Sequence, residues 1–528
     1  MRKKILVDVL VLLGIVVNVG LLLINLAPAR PHLARRTKAR ILLRASAARV
    51  AWMRENEFAE FGKSRDVDFE LIAAKDFDEV TETLRKEKGH PTGILLADIE
   101  DESADDLVAA GEVRPMQDAA DADDFAAAVD DYIPEALERG KVKGKVWFLP
   151  KRALIDVATF LVPAVEQAYL HWQDDRKEIE AALKEANGYG LPHGFTLART
   201  PDAWSTYDLF VAAWYWAHHP ARWGEVQNIE TFDGPPPPTT RARIAFPSGT
   251  GDDAITETVA QFFQHGMVEA EVGKAPGQAV VDSLQWEALF RKHHLLAPEM
   301  DDPKGLESFG VNGLFKERLV AWAPMDQADA LWAHGGARRD SEPGMKQPVD
   351  IGWSTLPRGA SLELDRNGQP VREGRSFAFE EVHLWAIPVN APKPALAFEL
   401  ARFLTQRGLQ QRETEAQGML PVRQDLARDY PILFRLSWMQ QILDASYRQV
   451  QKGSGDTPSN LSSDGNGERY ARLREFIVRK RPEGAKVDLA SVRAAVLSFK
   501  DAAKDAAKDA AKDAAKDVKP GAEAHHGQ

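Results

Sequence analysis

Apolar residues follow three different rhythms along the chain. The first is a nearly unbroken aliphatic run from Ile5 to Ala27, behind Arg2, Lys3 and Lys4. As a helix it reaches about 34 Å, enough to cross a bilayer. That is longer than the apolar region of a cleaved signal peptide, so the run predicts an uncleaved N-terminal transmembrane helix. Ala27-Pro28-Ala29 nevertheless has the small residues of a cleavage site. Arg30, Arg35, Arg36, Lys38 and Arg40 follow the span, a charge bias that by itself favours a cytoplasmic location for what comes next.

From Arg40 the rhythm changes. Ile41-Leu42-Leu43 reads as a buried strand, and Ala47 to Phe61 as a helix with Trp52, Phe58 and Phe61 toward a core. Val67 to Leu71 alternates like a half-buried strand. Asp76 to Lys88 reads as a helix stopped by Gly89, and Gly93 to Ala97 as a third strand. This order predicts a parallel sheet with helices on its faces. Ligands of such sheets sit beyond the carboxyl ends of the strands, which brings the loops starting at Ser46 and Asp98 near any site. Further along, Leu362 to Gly368 predicts an Asn-Gly hairpin with positive φ at both central residues. Pro235 to Pro238 predicts a stiff surface loop, and Gly453 to Gly467 a polar, glycine-rich one.

The third rhythm is the tail, where Lys500-Asp501-Ala502-Ala503 repeats through Lys516-Asp517. Alanine at half the positions favours a helix, and each Asp meets a Lys three residues later. Without a large apolar residue that helix has no face to bury, so a solvated charged C-terminal helix is expected.

Composition then narrows the function. At 528 residues the chain is too long for one core. Its net charge of −12, from 67 basic and 79 acidic residues, repels phosphate backbones and excludes a general nucleic-acid binder. The absence of cysteine excludes disulfides, thiolate metal sites and a lipid-modified N-terminal cysteine. No phosphate-binding glycine loop with Lys-Ser or Lys-Thr occurs, and no Gly-x-Ser-x-Gly elbow. His218-His219 and His293-His294 are adjacent pairs that diverge by about 100° on a helix and do not share a metal. Asp464, Asn466 and Glu468 lack calcium-loop spacing. No catalytic residue, metal or cofactor is therefore expected, and a binding protein is favoured over an enzyme.

Six segments carry a resemblance. Asp106 to Met116, with Gly111 and Pro115, is similar to a "leucine, small residues, glycine, x, leucine, x, proline, leucine" pattern. Gly144-Lys145-Val146-Trp147-Phe148-Leu149-Pro150 is similar to "glycine-lysine, two apolar residues, glycine, leucine-proline". Thr200-Pro201-Asp202-Ala203-Trp204 stands in place of "proline-x-threonine-tryptophan", with Ala203 where threonine is usual. Phe315 to Trp322 matches a "phenylalanine … glycine, lysine, alanine-alanine-methionine" segment but lacks its glycine. Asp350 to Pro357 with Gly359, and Ala397 to Thr405 with Gly418-Met419-Leu420-Pro421-Val422-Arg423, complete the set in the same order. Together they resemble the bacterial extracellular solute-binding proteins of ABC importers, the class that includes maltose- and sugar-binding proteins.

The resemblance implies an α/β, two-lobed periplasmic-binding-protein-like fold (type II), whose interlobe hinge closes on a solute. It places crossings after Leu149-Pro150, near Leu319 to Trp322, and near Glu381 to Ile387. Lobe one would hold residues 40–151 and 322–382, and lobe two 152–321 and 386–480, between the anchor at 1–29 and the tail at 500–519. Lys151 and Arg152, Trp322 and Asp326, and His383 and Trp385 would follow or lie on those crossings as ligand contacts, joined by the loop residues Asp98 and Ser46. Arginine, lysine and carboxylates suit a polar solute, and tryptophan suits a sugar face. Thirteen tryptophans fit that picture. The implied partners are a small solute, most of all a sugar, and ABC permease subunits. The implied location is the periplasmic or extracytoplasmic face, anchored to the inner membrane by the N-terminal helix. The alternative is a sensory or structural scaffold that uses the same fold with an altered or empty cleft.

Overall fold

The computed structural model describes residues 37–219, 243–249, 251–302, 304–333, 351–434, 437–455, 466–480 and 487–496. The N-terminal span, Pro235 to Pro238, the middle of the Gly453 to Gly467 loop and the charged tail lie outside the described residues. Among the described residues, no helix is long and apolar enough to cross a membrane.

The first half of the architecture follows the predicted order. Strand β1 (Thr37–Arg44) leads through helix α1 (Ala47–Met53), a π turn at Arg54–Phe58 and a helical segment Ala59–Arg65 to strand β2 (Val67–Ala74). The helical segment ends on Asp66, which takes the left-handed conformation at φ 54°. Helix α2 (Phe77–Gly89) starts where the Asp76 carboxylate accepts a 2.9 Å hydrogen bond from the Glu79 amide. Strand β3 (Ile94–Glu100) follows. β1 pairs in parallel with both β2 and β3.

Two long later strands join this first sheet, whose seven strands also include the short pieces Val113–Arg114 and Ser454–Gly455. β4 (Leu149–Ile155) is buried at all seven positions, as a strand covered on both faces must be. A single residue, Asp156, separates it from β5 (Val157–Leu161), which belongs to a second sheet. That second sheet adds β6 (Arg243–Ile244), β7 (Val320–Met325) and β8 (Ile351–Ser354). β5 is antiparallel to β7 on one side and to β8 on the other. The chain then returns to the first sheet through β9 (Ala378–Pro388), antiparallel to both β3 and β4.

These pairings revise the expected lobe bounds. Of residues 322–382, the described part up to Ser354 does not stay with the first sheet, because β7 and β8 flank β5 in the second, whereas 378–382 do belong to it as the start of β9. The first crossing falls at Asp156, not directly after Leu149-Pro150, because β4 pairs with β9 as far as Ile155. The second lies between Ser354 and Ala378 instead of near Leu319 to Trp322, and Glu381 to Ile387 stays inside the first sheet. Helix α3 (Pro394–Leu404) packs on β3, β4 and β9, so the start of segment 386–480 also belongs with the first sheet.

One apolar core runs through both sheets, from Ile41, Leu96 and Leu384 to Val157, Ala321 and Trp353. A second, smaller core gathers Phe262, Val281, Tyr470 and Leu473. The Leu362 to Gly368 segment makes its turn differently from the Asn-Gly expectation. Only Gly368 has positive φ, at 72°, and the Asp365 carboxylate accepts from the amides of Asn367 and Gln369 to hold the bend.

Candidate functional site

A cleft of about 1290 Å³ opens between the two sheets. Arg44, Ala74 and Glu100, which line it, are the last residues of β1, β2 and β3, so it lies beyond their carboxyl ends, where an α/β sheet takes ligands. Met325, the last residue of β7, and the crossing residue Asp156 contribute from the other side.

The lining is strongly acidic. The first sheet and its loops supply Asp76, Asp78, Glu100, Glu102 and Glu381. The elements around the second sheet supply Asp252, Asp253, Glu257, Asp326, Asp329 and Glu468, and Asp156 stands between. Four cations face these twelve carboxylates: Arg44, Arg49, Lys75 and Arg152. Arg49 and Arg152 both ion-pair with Glu413, and Lys75 with Asp76. The aromatic rings in the lining are Phe77, Phe309 and Phe379; among the described residues no tryptophan or tyrosine lines the cleft.

Two groups of carboxylates crowd one another. Burial, then Glu381, Glu102 and Asp101, push Glu100 up to about 9 against the pull of Arg44. Burial also pushes Asp101 to about 7, with Arg139 opposing at 3.4 Å. Around the crossing, burial and the charges of Glu257, Asp326, Asp329 and Asp253 raise Asp156 well above the usual carboxylate range. Glu257 is 7% exposed and is pushed by burial to about 7, while a hydrogen bond from Gln261 and the charge of Arg474 pull it back.

The sequence-derived site residues divide in two. Ser46, Arg152 and Asp326 line the cleft. Ser46 is engaged at the start of α1, where its hydroxyl accepts from the Arg49 amide, and the Asp326 carboxylate accepts from the Asp329 amide at 2.8 Å. Lys151, Asp98, His383 and Trp385 do not line it. They form a buried network beneath it, because the register of β9 sets His383 opposite both Glu100 and Arg152. Lys151 Nζ lies 2.5 Å from an Asp98 oxygen and 4.4 Å from the Trp385 ring centroid. Arg152 donates to Glu413 at 2.9 Å and lies 3.0 Å from His383 Nδ1. Burial would raise Asp98, but Lys151, His383 and Arg152 overcome it and hold the carboxyl well below the usual range. Burial and Arg152 lower Lys151 to about 8. Trp322 is also a correction: it is 5% exposed in β7, opposite Phe160, and packs in the core rather than in the cleft.

The cleft residues that sequence reading passed over are mostly acids. Glu100 and Glu102 stand two and four positions after the flagged Asp98, and Asp252 and Asp253 follow directly on the sequence Ser248-Gly249-Thr250-Gly251. Asp156 is the one partly exposed residue in an otherwise buried run from Leu149 to Leu161.

No protein-family model matches the chain, and no curated protein matches it. Solved structures do match. A cyclo/maltodextrin-binding protein complexed with maltotetraose superposes with a TM-score of 0.56 at 15% identity, over 87% of this chain and 95% of that one. The Thermus thermophilus maltotriose-binding protein bound with maltotriose gives 0.56 at 13% identity, over 88% and 99%. Maltose-bound MalE3 of T. maritima gives 0.57 at 13%, over 88% and 100%. At these identities the likeness shows the fold: an α/β chain built like these binding proteins, with mixed sheets and a cleft between them.

Proposed function

We propose that this chain is the extracytoplasmic solute-binding component of an ABC importer, capturing a small solute between two lobes by hinge closure and performing no catalysis. The observation that carries the reading is the cleft itself, set beyond the ends of β1, β2 and β3, with one of the crossings between the two sheets made by the single residue Asp156. A link that short, flanked by strands buried at every position, would act as the pivot about which one sheet turns against the other, with the apolar core that runs through both sheets repacking at the joint. In this reading lobe one is built on β1 to β4 with β9 and α3, and lobe two on β5 to β8. The structural neighbours were solved with maltotetraose, maltotriose and maltose, which makes carbohydrate the first solute class to assay. Residues 5–27 would anchor the chain to the inner membrane and present the lobes to permease subunits.

A thermal-shift panel on the full chain tests capture. A solute at a hundredfold over its dissociation constant adds about 2.7 kcal/mol. A rise in Tm confined to one chemical class is expected. A cooperative melt that no solute moves would contradict capture and favour a scaffold.

A further inference from the structure

The charge of the cleft points to the chemistry of what fills it. Asp156 forms no hydrogen bond or ion pair among the described residues, although it stands on the path between the sheets. Glu257, more than nine-tenths buried, offers one oxygen to Gln261 and has no ion pair among the described residues. The buried Oε1 of Gln417, also in the lining, has no hydrogen-bond donor. These are acceptors, and a bare hydroxyl-bearing sugar would leave their excess negative charge unanswered.

The acids also stand on both walls. Glu100, Glu102 and Glu381 belong to the first sheet, and Glu257, Asp326 and Asp329 to elements around the second. Closure would bring like charges together, which opposes it unless the solute lies between them with charge of the opposite sign. We propose that the captured solute carries two or more ammonium groups, one held by the Glu100–Glu102–Glu381 group and another by the group around Asp156 and Glu257. The proposal rests on the capture reading above and narrows it. An aliphatic polyamine and an aminated sugar share this chemistry. Phe77, Phe309 and Phe379 would cover the carbon skeleton of either one.

Titration calorimetry of the full chain with spermidine, the glucosamine disaccharide, maltotriose and calcium chloride tests it. Saturable binding of spermidine identifies the aliphatic source, and of the glucosamine disaccharide the carbohydrate source. In either case Asp156→Asn and Glu257→Gln should each weaken binding about tenfold or more. Both replacements are near-isosteric and relieve repulsion, so unchanged or raised Tm will separate lost binding from lost folding. Binding of maltotriose with neither amine leaves capture standing and overturns the positive charge. Calcium binding with neither amine overturns it as well. No heat from any of the four overturns the charge proposal, and the wider panel of neutral solutes then decides capture separately.

Discussion

Two regions of buried charge lie close together in this molecule, and they are built on opposite plans. At the base of the cleft, Arg49, Lys151 and Arg152 ion-pair with Asp98 and Glu413, while Glu57 beside them is pushed by burial and by Glu413 to about 7. Along the cleft, Asp156 and Glu257 face other carboxylates and have no ion pair among the described residues. The same fold thus gives each buried cation a carboxylate partner in one place and, among the described residues, leaves carboxylates without an ion pair in the other. Burying an uncompensated charge is costly, so an imbalance that opens onto a cleft marks where something else supplies the opposite sign. The balanced region holds β4 to β9 and α1. The unbalanced one waits for a partner.

The sharpest way to break this comparison is to remove the shared acceptor of the balanced region. Glu413→Ala leaves Arg49 and Arg152 buried without it, and should cost about 3–5 kcal/mol in a urea denaturation. A loss below about 1 kcal/mol would show that the network carries no structural weight.

Next in size is the pH profile. Glu100, raised to about 9, and Glu257 and Asp101, raised to about 7, keep protons in the folded chain that the unfolded chain has lost. The folded state then binds more protons than the unfolded one, so stability falls as pH rises from about 5 toward 9. Asp98 and Glu413 are shifted down, and their contribution is present above the usual carboxylate range and lost below it. Lys151, lowered to about 8, reverses the trend only above that pH. A Tm maximum near pH 5 is expected from scans between pH 3 and 9; a plateau from 5 to 9 would remove the claim of crowded carboxylates. Glu100→Gln should flatten the upper limb of the same curve. The smallest effect is that of Asp156→Asn, which should stabilise the free chain by up to about 1 kcal/mol at pH 8, the opposite sign to Glu413→Ala.

The parallel part of the first sheet was legible in the sequence, because it is written in local pattern. Ile41 to Leu43, Val67 to Leu71 and Gly93 to Ala97 all fall in or overlap parallel strands, and Asp76 caps the helix it was expected to start. Lobe membership was not legible. Val320–Met325 and Ile351–Ser354 are buried at every position and would suit either sheet; only their pairing with Val157–Leu161 decides. The Gly418 to Val422 motif kept its meaning as backbone geometry. Gly418 ends the Arg407–Gln417 helix at φ 73°, and Leu420 exchanges hydrogen bonds with Ala153.

The site was half legible for the same reason. Lys151, Arg152, Asp98 and His383 were each singled out and do come together, but which side of the sheet they occupy depends on the register of β9 against β3 and β4. The cleft acids were hidden by number: among 79 carboxylates, nothing local distinguishes Glu257 from an acid on a solvated helix face. Their environment is a tertiary fact.

One measurement reaches the central claim most directly. With Glu257 raised to about 7 and Glu100 to about 9, the free chain keeps protons on both at pH 6, against the pull of Arg474 and Arg44; Asp156 is shifted in the same direction. A solute bearing ammonium groups must drive those protons off. Spermidine and the glucosamine disaccharide would each be titrated into the full chain at pH 6, in two buffers of different ionisation enthalpy. The account predicts that binding of at least one releases protons to the buffer and tightens as pH rises from 6 to 8. Binding that releases no protons, or that weakens over that range, would contradict it.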